Sequence, residues 1–182
     1  MSVGRAFWLT GLSGAGKSTL AGRLACMLRD DNRPVIVLDG DDLRCILAGS
    51  ETKGYLREDR LALGLRYARL ANYLVEQGID VIVATISMYR EVYQWNRDYL
   101  SGYTEIFVDV PLEELQRRDS RGVYSQASPS SSEVAGIGVP VDFPENSDIR
   151  LEWQQEDTPE KTFARLCKEL VRLDTIRGNP PK

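Results

Sequence analysis

Residues 11–18 form a complete phosphate-binding loop, Gly-Leu-Ser-Gly-Ala-Gly-Lys-Ser, which matches the pattern G-x-x-x-x-G-K-[ST]. In such a loop the glycines let backbone N–H groups approach a polyphosphate, the lysine contacts the β- and γ-phosphates, and the serine hydroxyl can bind Mg²⁺. We therefore expect the chain to bind a nucleoside triphosphate with Mg²⁺. The residues expected to hold it are Gly11, Ser13, Gly14, Ala15, Gly16, Lys17, Ser18 and Thr19.

Acidic residues follow a later apolar run, in the stretch Leu38-Asp39-Gly40-Asp41-Asp42-Leu43-Arg44. A carboxylate beside the γ-phosphate can bind Mg²⁺ through water or accept a proton from the attacking hydroxyl. Because the chain has no histidine, a general base must be a carboxylate, a lysine or a tyrosine. We predict that Asp41 takes part in catalysis and that Asp39 also faces the nucleotide. For Asp42, the N-cap of the following helix is the simpler interpretation.

Other side chains could hold the molecule that accepts the phosphate. Arg44 lies one helical turn beyond Asp41, and its guanidinium could bind an anion through two hydrogen bonds. Ile86 and Ser87 close another apolar run and are expected at the same edge of a sheet, where they could shape the acceptor pocket. Taken singly, Arg44 and Arg60 are also typical of solvated helix faces.

These residues must be positioned by a regular alternation of strands and helices. The apolar, β-branched runs predict strands at 6–10, 34–38, 81–85, 105–110 and 149–153. Helical patterns lie at 17–28, 59–77, 91–100, 111–118 and 158–173, the last with Thr158 as N-cap. This order predicts a three-layer α/β/α fold with a five-stranded, mainly parallel sheet, whose ligands lie at the carboxyl ends of the strands.

The length of 182 residues predicts a single domain, at 1–176, followed by a flexible tail at 177–182. Residues 119–148, rich in serine, glycine and proline, interrupt the alternation. Long irregular segments in compact domains are often functional lids, so we expect a lid over the phosphates, with a disordered insertion as the alternative.

Composition and charge bear on the partners and the cellular location that we expect for the protein. The net charge of −4 and the lack of a basic run argue against nucleic acid as a partner. We find no signal peptide pattern and no apolar run near the length of a membrane span, so we expect a cytoplasmic protein. Cys26, Cys45 and Cys167 are expected to be reduced thiols.

The ordered set of motifs resembles the adenylylsulfate (APS) kinase family over almost the whole chain. Beyond the loop and the acidic stretch, the resemblance rests on motifs that occur in the family's order. They are Glu58-Asp59-Arg60, Ile86-Ser87-Met88-Tyr89-Arg90, Phe107-Val108-Asp109-Val110-Pro111-Leu112-Glu113, Arg118-Asp119-Ser120-Arg121-Gly122-Val123-Tyr124 and Pro144-Glu145-Asn146.

The resemblance implies a P-loop kinase fold and ATP-dependent phosphorylation of the ribose 3′-hydroxyl of adenylylsulfate, in an enzyme that is often a homodimer. It implies that Asp41 is the carboxylate beside the accepting hydroxyl. Ser18 and Asp39 would then lie at the Mg²⁺ ion, and Arg118 would belong to the lid over the ATP phosphates. Arg44, Arg60 and Ser87 would contact the acceptor.

Departures from the family pattern concentrate on the acceptor side. Leu63 stands where the family usually has asparagine, and Tyr55 where it has phenylalanine. The cations expected after Tyr124 are replaced by Ser-Gln-Ala-Ser, and residues 134–138 lack the family's base-stacking aromatic residue.

These departures leave three hypotheses open. The first is an adenylylsulfate kinase with a divergent lid. The second is a relative acting on another nucleotide-activated anion, as cytidine diphosphoramidate kinases of capsule biosynthesis do. The third, a non-catalytic nucleotide-binding protein, is disfavoured by the intact Lys17, Ser18 and Asp41.

Overall fold

The computed structural model describes residues 3–47, 57–119, 122–125 and 134–177. Within these ranges the strands are β1 (Ala6–Thr10), β2 (Val35–Asp39), β3 (Asp80–Ala84), β4 (Tyr103–Asp109) and β5 (Ile149–Glu152). The helices are α1 (Lys17–Asp30), α2 (Gly40–Leu47), α3 (Arg57–Glu76), α4 (Arg90–Tyr99), α5 (Leu112–Arg118) and α6 (Pro159–Ile176). The predicted α/β alternation is confirmed, and α2 is a helix that the apolar pattern did not predict.

The five strands form one sheet in the order β2-β3-β1-β4-β5, and every neighbouring pair is parallel. β1 is the central strand: Ala6 pairs with Val81 on one side and with Tyr103 on the other. The sheet brings the carboxyl ends of all five strands to one edge, as the parallel order requires. β3 lies between β1 and β2, so Asp39 is not a direct sheet neighbour of the strand that enters the phosphate loop.

Two hydrophobic cores cover the two faces of the sheet. Successive side chains of a strand point to opposite faces, and on β1 Phe7 and Leu9 face one core while Trp8 faces the other. The first core contains the apolar sides of α1, α5 and α6, and the second those of α2 and α3. α4 contributes to both, with Tyr93 in the first and Val92 in the second. Burial on both faces explains why β1 and β3 are apolar without alternation. The three-layer prediction is thus confirmed.

The ends of the helices follow local rules. Thr158 caps α6 as predicted, because its side chain accepts a hydrogen bond from the Lys161 N–H at 3.3 Å. Pro111 is the N-cap of α5 rather than its first helical residue. Arg177, which we assigned to the tail, donates hydrogen bonds to Thr104 Oγ1 and Asp148 Oδ1, both at 2.9 Å. Among the described helices, none combines the length and hydropathy needed to cross a membrane.

Candidate active site

The phosphate loop has a backbone that only glycine adopts readily. Gly11, Gly14 and Gly16 have φ angles of 149°, 77° and 96°. At Gly11, a Cβ atom would lie 2.5 Å from the carbonyl oxygen of Val108, so a larger residue would displace β4 from the loop. α1 begins at Lys17 without a side-chain cap. The first N–H groups of a helix carry partial positive charge, and here they lie at the loop, which favours a polyphosphate.

Lys17 lies at the base of this loop. Its side chain is 9% exposed, and its Nζ donates a hydrogen bond to the carbonyl oxygen of Leu12 at 2.8 Å. The ammonium group is therefore held within the loop, at the position where a point charge would meet the terminal phosphates of a nucleotide.

Ser18 and Asp39 form the polar centre of the site. Ser18 Oγ donates to Asp39 Oδ2 at 2.5 Å, while Asp39 Oδ1 accepts a hydrogen bond from the Asp41 N–H at 2.9 Å. Asp39 therefore caps α2, and the interpretation of Asp42 as the N-cap was wrong: Asp42 lies in the first turn, after Gly40. Asp39 reaches the loop because α1 packs against β2, although β3 separates β2 from β1.

The oxygen atoms of Ser18 and Asp39 fit a magnesium site. Mg²⁺ is a hard cation that proteins bind through one or two carboxylates, with nucleotide phosphates and water completing the octahedron. A hydroxyl and a carboxylate 2.5 Å apart, beside the anion-binding end of α1, match that chemistry. In the described part of the chain no group of three or more His, Cys, Asp or Glu side chains could hold a metal by itself. The site thus suits an ion that arrives with the nucleotide.

Asp41 and Arg44 lie on one face of α2, one turn apart. Arg44 Nη2 is 3.4 Å from Asp41 Oδ1, and the two side chains are 56% and 63% exposed. A cavity of about 220 Å³ separates them from the phosphate loop. Of the predicted site residues, this cavity is lined by Ser13, Gly14, Gly16, Lys17, Ser18, Thr19, Asp39, Asp41, Arg44 and Ile86.

Ser87 lies behind Ile86 rather than in the cavity wall. The Thr85 and Ser87 hydroxyl groups are 2.9 Å apart and buried, and Thr10 Oγ1 donates to the Ile86 carbonyl oxygen at 2.6 Å. A Cβ atom on Gly64 of α3 would lie 3.2 Å from Ser87 Oγ, so the helix packs closely against this segment. The backbone after β3 is therefore fixed from both sides.

The remaining acceptor-side residues are less tightly grouped. Leu63 is half-buried and packs against the second core, and neither Leu63 nor Arg60 lines the cavity. Tyr55 falls outside the described residues, as do the predicted lid residues 126–133. The roles of all these residues stay predictions.

A second cavity, of about 100 Å³, adjoins the first at Gly16 and Thr19. Arg118 and Trp153 lie in its wall, with the Arg118 guanidinium carbon 6.0 Å from the centroid of the Trp153 ring. Arg118 thus lies against this cavity rather than the first one. Sequence analysis placed Trp153 at the end of the predicted strand 149–153 but did not assign it to the site. Its aromatic type at the carboxyl end of a strand was the available signal.

Glu114 fixes the direction of Arg118. Its carboxylate accepts a hydrogen bond from Arg118 Nε at 2.6 Å and two from Arg117, at 2.7 and 2.8 Å. The hydrogen bonds from Arg117 and then Arg118 lower the pKa of Glu114 to about 2, so the carboxylate is ionised at neutral pH. The guanidinium of Arg118 is therefore held at the cavity before any ligand binds.

Two parts of the predicted lid contact the phosphate loop. Tyr124 Oη donates a hydrogen bond to the Ser13 carbonyl oxygen at 2.7 Å. Gly136, with φ of 85°, lies so close to Leu12 that a Cβ atom would be 2.8 Å from Leu12 Cδ2. These segments therefore lie over the loop.

Asp142 joins the end of the predicted lid to the acceptor side. Its Oδ2 accepts hydrogen bonds from Arg57 Nη2 at 2.8 Å and from the Arg90 N–H at 3.1 Å, and its own N–H donates to the Met88 carbonyl oxygen at 2.8 Å. Sequence analysis did not single out Asp142. Its contacts link the start of α3, the start of α4 and the segment after β3.

Comparison with known proteins shows which proteins the chain is similar to. The chain is 40% identical over 165 residues to the cytidine diphosphoramidate kinase of Campylobacter jejuni, covering 90% of this chain and 95% of that protein. It is 39% identical over 166 residues to the adenylyl-sulfate kinase of Pseudomonas aeruginosa, and the match covers 90% of this chain and 83% of that protein.

A solved structure agrees in fold. The Mycobacterium tuberculosis APS kinase in complex with AMPPNP and APS superposes with a TM-score of 0.80 at 30% identity, covering 93% of this chain and 99% of that one. The family model described as adenylylsulphate kinase matches residues 3–152. This chain, a kinase with a P-loop fold, belongs to the adenylylsulphate kinase family.

Proposed function

We propose that the chain transfers the γ-phosphate of ATP to a ribose hydroxyl of a nucleotide-activated anion, with adenylylsulfate as the first candidate acceptor. One observation carries this proposal. The Ser18–Asp39 pair and the Asp41–Arg44 pair lie at the same cavity, so groups suited to the donor phosphates and groups suited to an anionic acceptor share one space.

On the donor side, the loop N–H groups and Lys17 bind the β- and γ-phosphates. Ser18 and Asp39 hold Mg²⁺, which neutralises the charge that develops on the phosphates. The base of ATP enters the second cavity, between Arg118 and the apolar wall that contains Trp153. Each cavity then takes one part of the same nucleotide.

On the acceptor side, Asp41 accepts the proton of the attacking ribose hydroxyl. Its carboxylate lines the first cavity together with the loop, so a hydroxyl bound in that cavity would be within its reach. Arg44 binds the acceptor's anionic group and neutralises it, and Arg60 on α3 keeps the acceptor-binding role that the family resemblance implies. Ile86 forms the adjoining wall, and Ser87 supports it from behind.

A cytidine diphosphoramidate acceptor is the second candidate. The apolar Leu63 on α3 favours it, because it stands where the resemblance implies a polar contact to adenylylsulfate. The 40% identity to the Campylobacter jejuni kinase supports it equally. A smaller pyrimidine base would also need less aromatic stacking than adenine.

Product formation from each acceptor separates the candidates. The purified chain is incubated with Mg-ATP and, in parallel, with adenylylsulfate, cytidine diphosphoramidate or an unactivated nucleoside, and ³¹P resonances are followed. We expect a new phosphomonoester signal with one activated nucleotide and none with the nucleosides. Absence of turnover with both activated acceptors, together with tight ATP binding, would instead favour a non-catalytic nucleotide-binding protein. The homodimer expected from the resemblance stays a prediction, which sedimentation equilibrium would check.

A further inference from the structure

Tyr67 on α3 carries a buried hydroxyl group that the packing of the helix does not explain. The residue is 3% exposed and its ring belongs to the second core. Its Oη atom has no hydrogen bond of normal geometry to any described residue. A buried hydroxyl without a partner is destabilising, whereas phenylalanine would fill the same space without that cost. Packing in the core therefore does not explain why this position has tyrosine instead of phenylalanine.

The surroundings of this hydroxyl belong to the acceptor side. Burial raises the pKa of Tyr67 to about 12. The charge of Arg44, and a hydrogen-bonding interaction with its guanidinium that falls short of normal geometry, oppose that rise, while the charges of Asp41 and Cys45 reinforce it. All three of these neighbours lie on α2. The phenol is therefore neutral at physiological pH and next to the guanidinium that we assign to the acceptor's anionic group.

Arg44 is held only loosely in the structure. Its contact to Asp41 measures 3.4 Å, beyond the normal length of a charge-assisted hydrogen bond, and its side chain is 56% exposed. A guanidinium has five N–H donors, so it can bind an anion with one edge and an oxygen of the protein with another. The Tyr67 Oη atom is an acceptor of that kind, on the protein side of Arg44.

We propose that Tyr67 is a positioning residue for Arg44: its hydroxyl accepts a hydrogen bond from the guanidinium when Arg44 turns from Asp41 to the anionic group of the acceptor. This move directs Arg44 to the anion and separates it from the carboxylate that accepts the proton. The inference rests on the proposed function, because it requires an anionic acceptor at Arg44.

The substitution Tyr67→Phe tests it, with Tyr73→Phe as the matched control. Tyr73 lies on the same helix and is 62% exposed, so its hydroxyl has water in place of a buried environment. KM and kcat are measured for ATP and for whichever acceptor the wild type phosphorylates. Thermal unfolding is followed in parallel.

For Tyr67→Phe we expect the acceptor KM to rise about tenfold, the effect of losing one hydrogen bond to a charged group. The KM for ATP should stay within twofold. The unfolding midpoint should rise by about 2–4 °C, because a buried unpaired hydroxyl is removed. Tyr73→Phe should change none of these. A rise in stability together with a loss of acceptor affinity is not expected of a residue that only packs.

An Arg44→Ala background shows whether Tyr67 acts through Arg44. There, Tyr67→Phe should have no further effect on the kcat/KM of the acceptor, because the guanidinium is absent. An unchanged acceptor KM in the single variant, an equal rise in both KM values, or a full effect in the Arg44→Ala background would each overturn this inference alone. Lack of turnover by the wild type with either activated acceptor would overturn the proposed function, and this inference with it.

Discussion

The Ser18 hydroxyl at the start of α1 lies 2.5 Å from a carboxylate oxygen of Asp39 at the end of β2. The other oxygen of Asp39 accepts the N–H of Asp41, the first acidic residue of α2. One carboxylate therefore connects the phosphate loop to the helix that carries Asp41 and Arg44. Through this connection the phosphate loop and the start of α2 hold each other in place.

Replacing Asp39 by Asn should weaken the use of Mg²⁺ while leaving α2 intact. The amide oxygen can still cap the Asp41 N–H, but it carries no charge for the metal. We expect the Mg²⁺ concentration that gives half the maximal rate to rise about 10- to 100-fold. A magnesium titration at saturating ATP measures it, with Asp31→Asn after α1 as the control. An unchanged magnesium dependence would contradict the assignment.

Replacing Asp41 by Asn should abolish most turnover without affecting ATP affinity. The amide cannot accept the proton of the attacking hydroxyl, and general-base catalysis contributes about 10²- to 10⁴-fold. Calorimetric titration with AMPPNP should give a dissociation constant within twofold of the wild type. Asp42→Asn, in the same turn and exposed, should retain full activity. If Asp41→Asn had the same turnover rate as Asp42→Asn, Asp41 would not be the group that accepts the proton.

Replacing Trp153 by Ala should raise the KM for ATP. Base–aromatic contact is worth about 1–3 kcal/mol, so we expect a rise of about tenfold or more. Trp153→Phe should recover part of the loss, and the acceptor KM should not change. Tyr99→Ala, at an exposed aromatic residue of α4, serves as the control. Equal KM values for ATP in wild type and Trp153→Ala would show that the base lies elsewhere.

Asp80 should contribute to stability in a pH-dependent way. It is 1% exposed and accepts hydrogen bonds from Arg33 Nε at 2.5 Å and the Arg5 N–H at 2.8 Å. Burial alone would raise its pKa, but the bonds from Arg33 and Arg5 outweigh it and hold the pKa of Asp80 below the ordinary value. The stabilisation is thus complete above the pKa of an unfolded aspartate and is lost as the pH falls through the lower, folded value.

Asp80→Asn should lower the free energy of unfolding by about 2–4 kcal/mol at pH 7, because two arginines lose a buried partner. Urea unfolding at pH 7 and pH 3 measures the difference between variant and wild type, which should narrow at pH 3. The exposed Asp98→Asn should stay within about 0.5 kcal/mol of the wild type. If the free energies of unfolding of Asp80→Asn and wild type differed by the same amount at pH 7 and pH 3, the stabilisation would not come from an ionised Asp80.

The sequence predicted those parts of the fold and site that depend on local patterns. The loop glycines, Lys17 and Ser18 are recognisable because each residue type and spacing has a mechanical reason. The strands β1 and β3 are recognisable because burial on both faces makes them almost uniformly apolar. The apolar pattern did not give the bounds of α2, which is only eight residues long, and its start was placed at Asp42 instead of Gly40. The hydrogen bond between Ser18 and Asp39 forms because α1 packs against β2. The residue pattern of α1 or of β2 alone cannot show this packing.

The side chains that sequence analysis missed act over long separations. Trp153 meets Arg118 only because β5 pairs with β4. Asp142 reaches Arg57, 85 residues earlier, through the course of the chain after the lid. Tyr67 has an ordinary aromatic type on a buried helix face. What distinguishes it from a packing residue is that its hydroxyl makes no hydrogen bond of normal geometry to any of the described residues.

The central position of β1 also sets the order in which the molecule can fold. The first 40 residues contain the whole phosphate loop, but their two strands are not neighbours, since β1 pairs only with β3 and β4 among the described strands. A nascent chain that ends before β3 therefore has no sheet to support the loop. Non-local pairing of this kind slows folding, and ATP can stabilise only a state in which its site exists. The phosphate loop is thus synthesised before the two strands that support it, so ATP should not protect the chain on the ribosome until β4 has emerged.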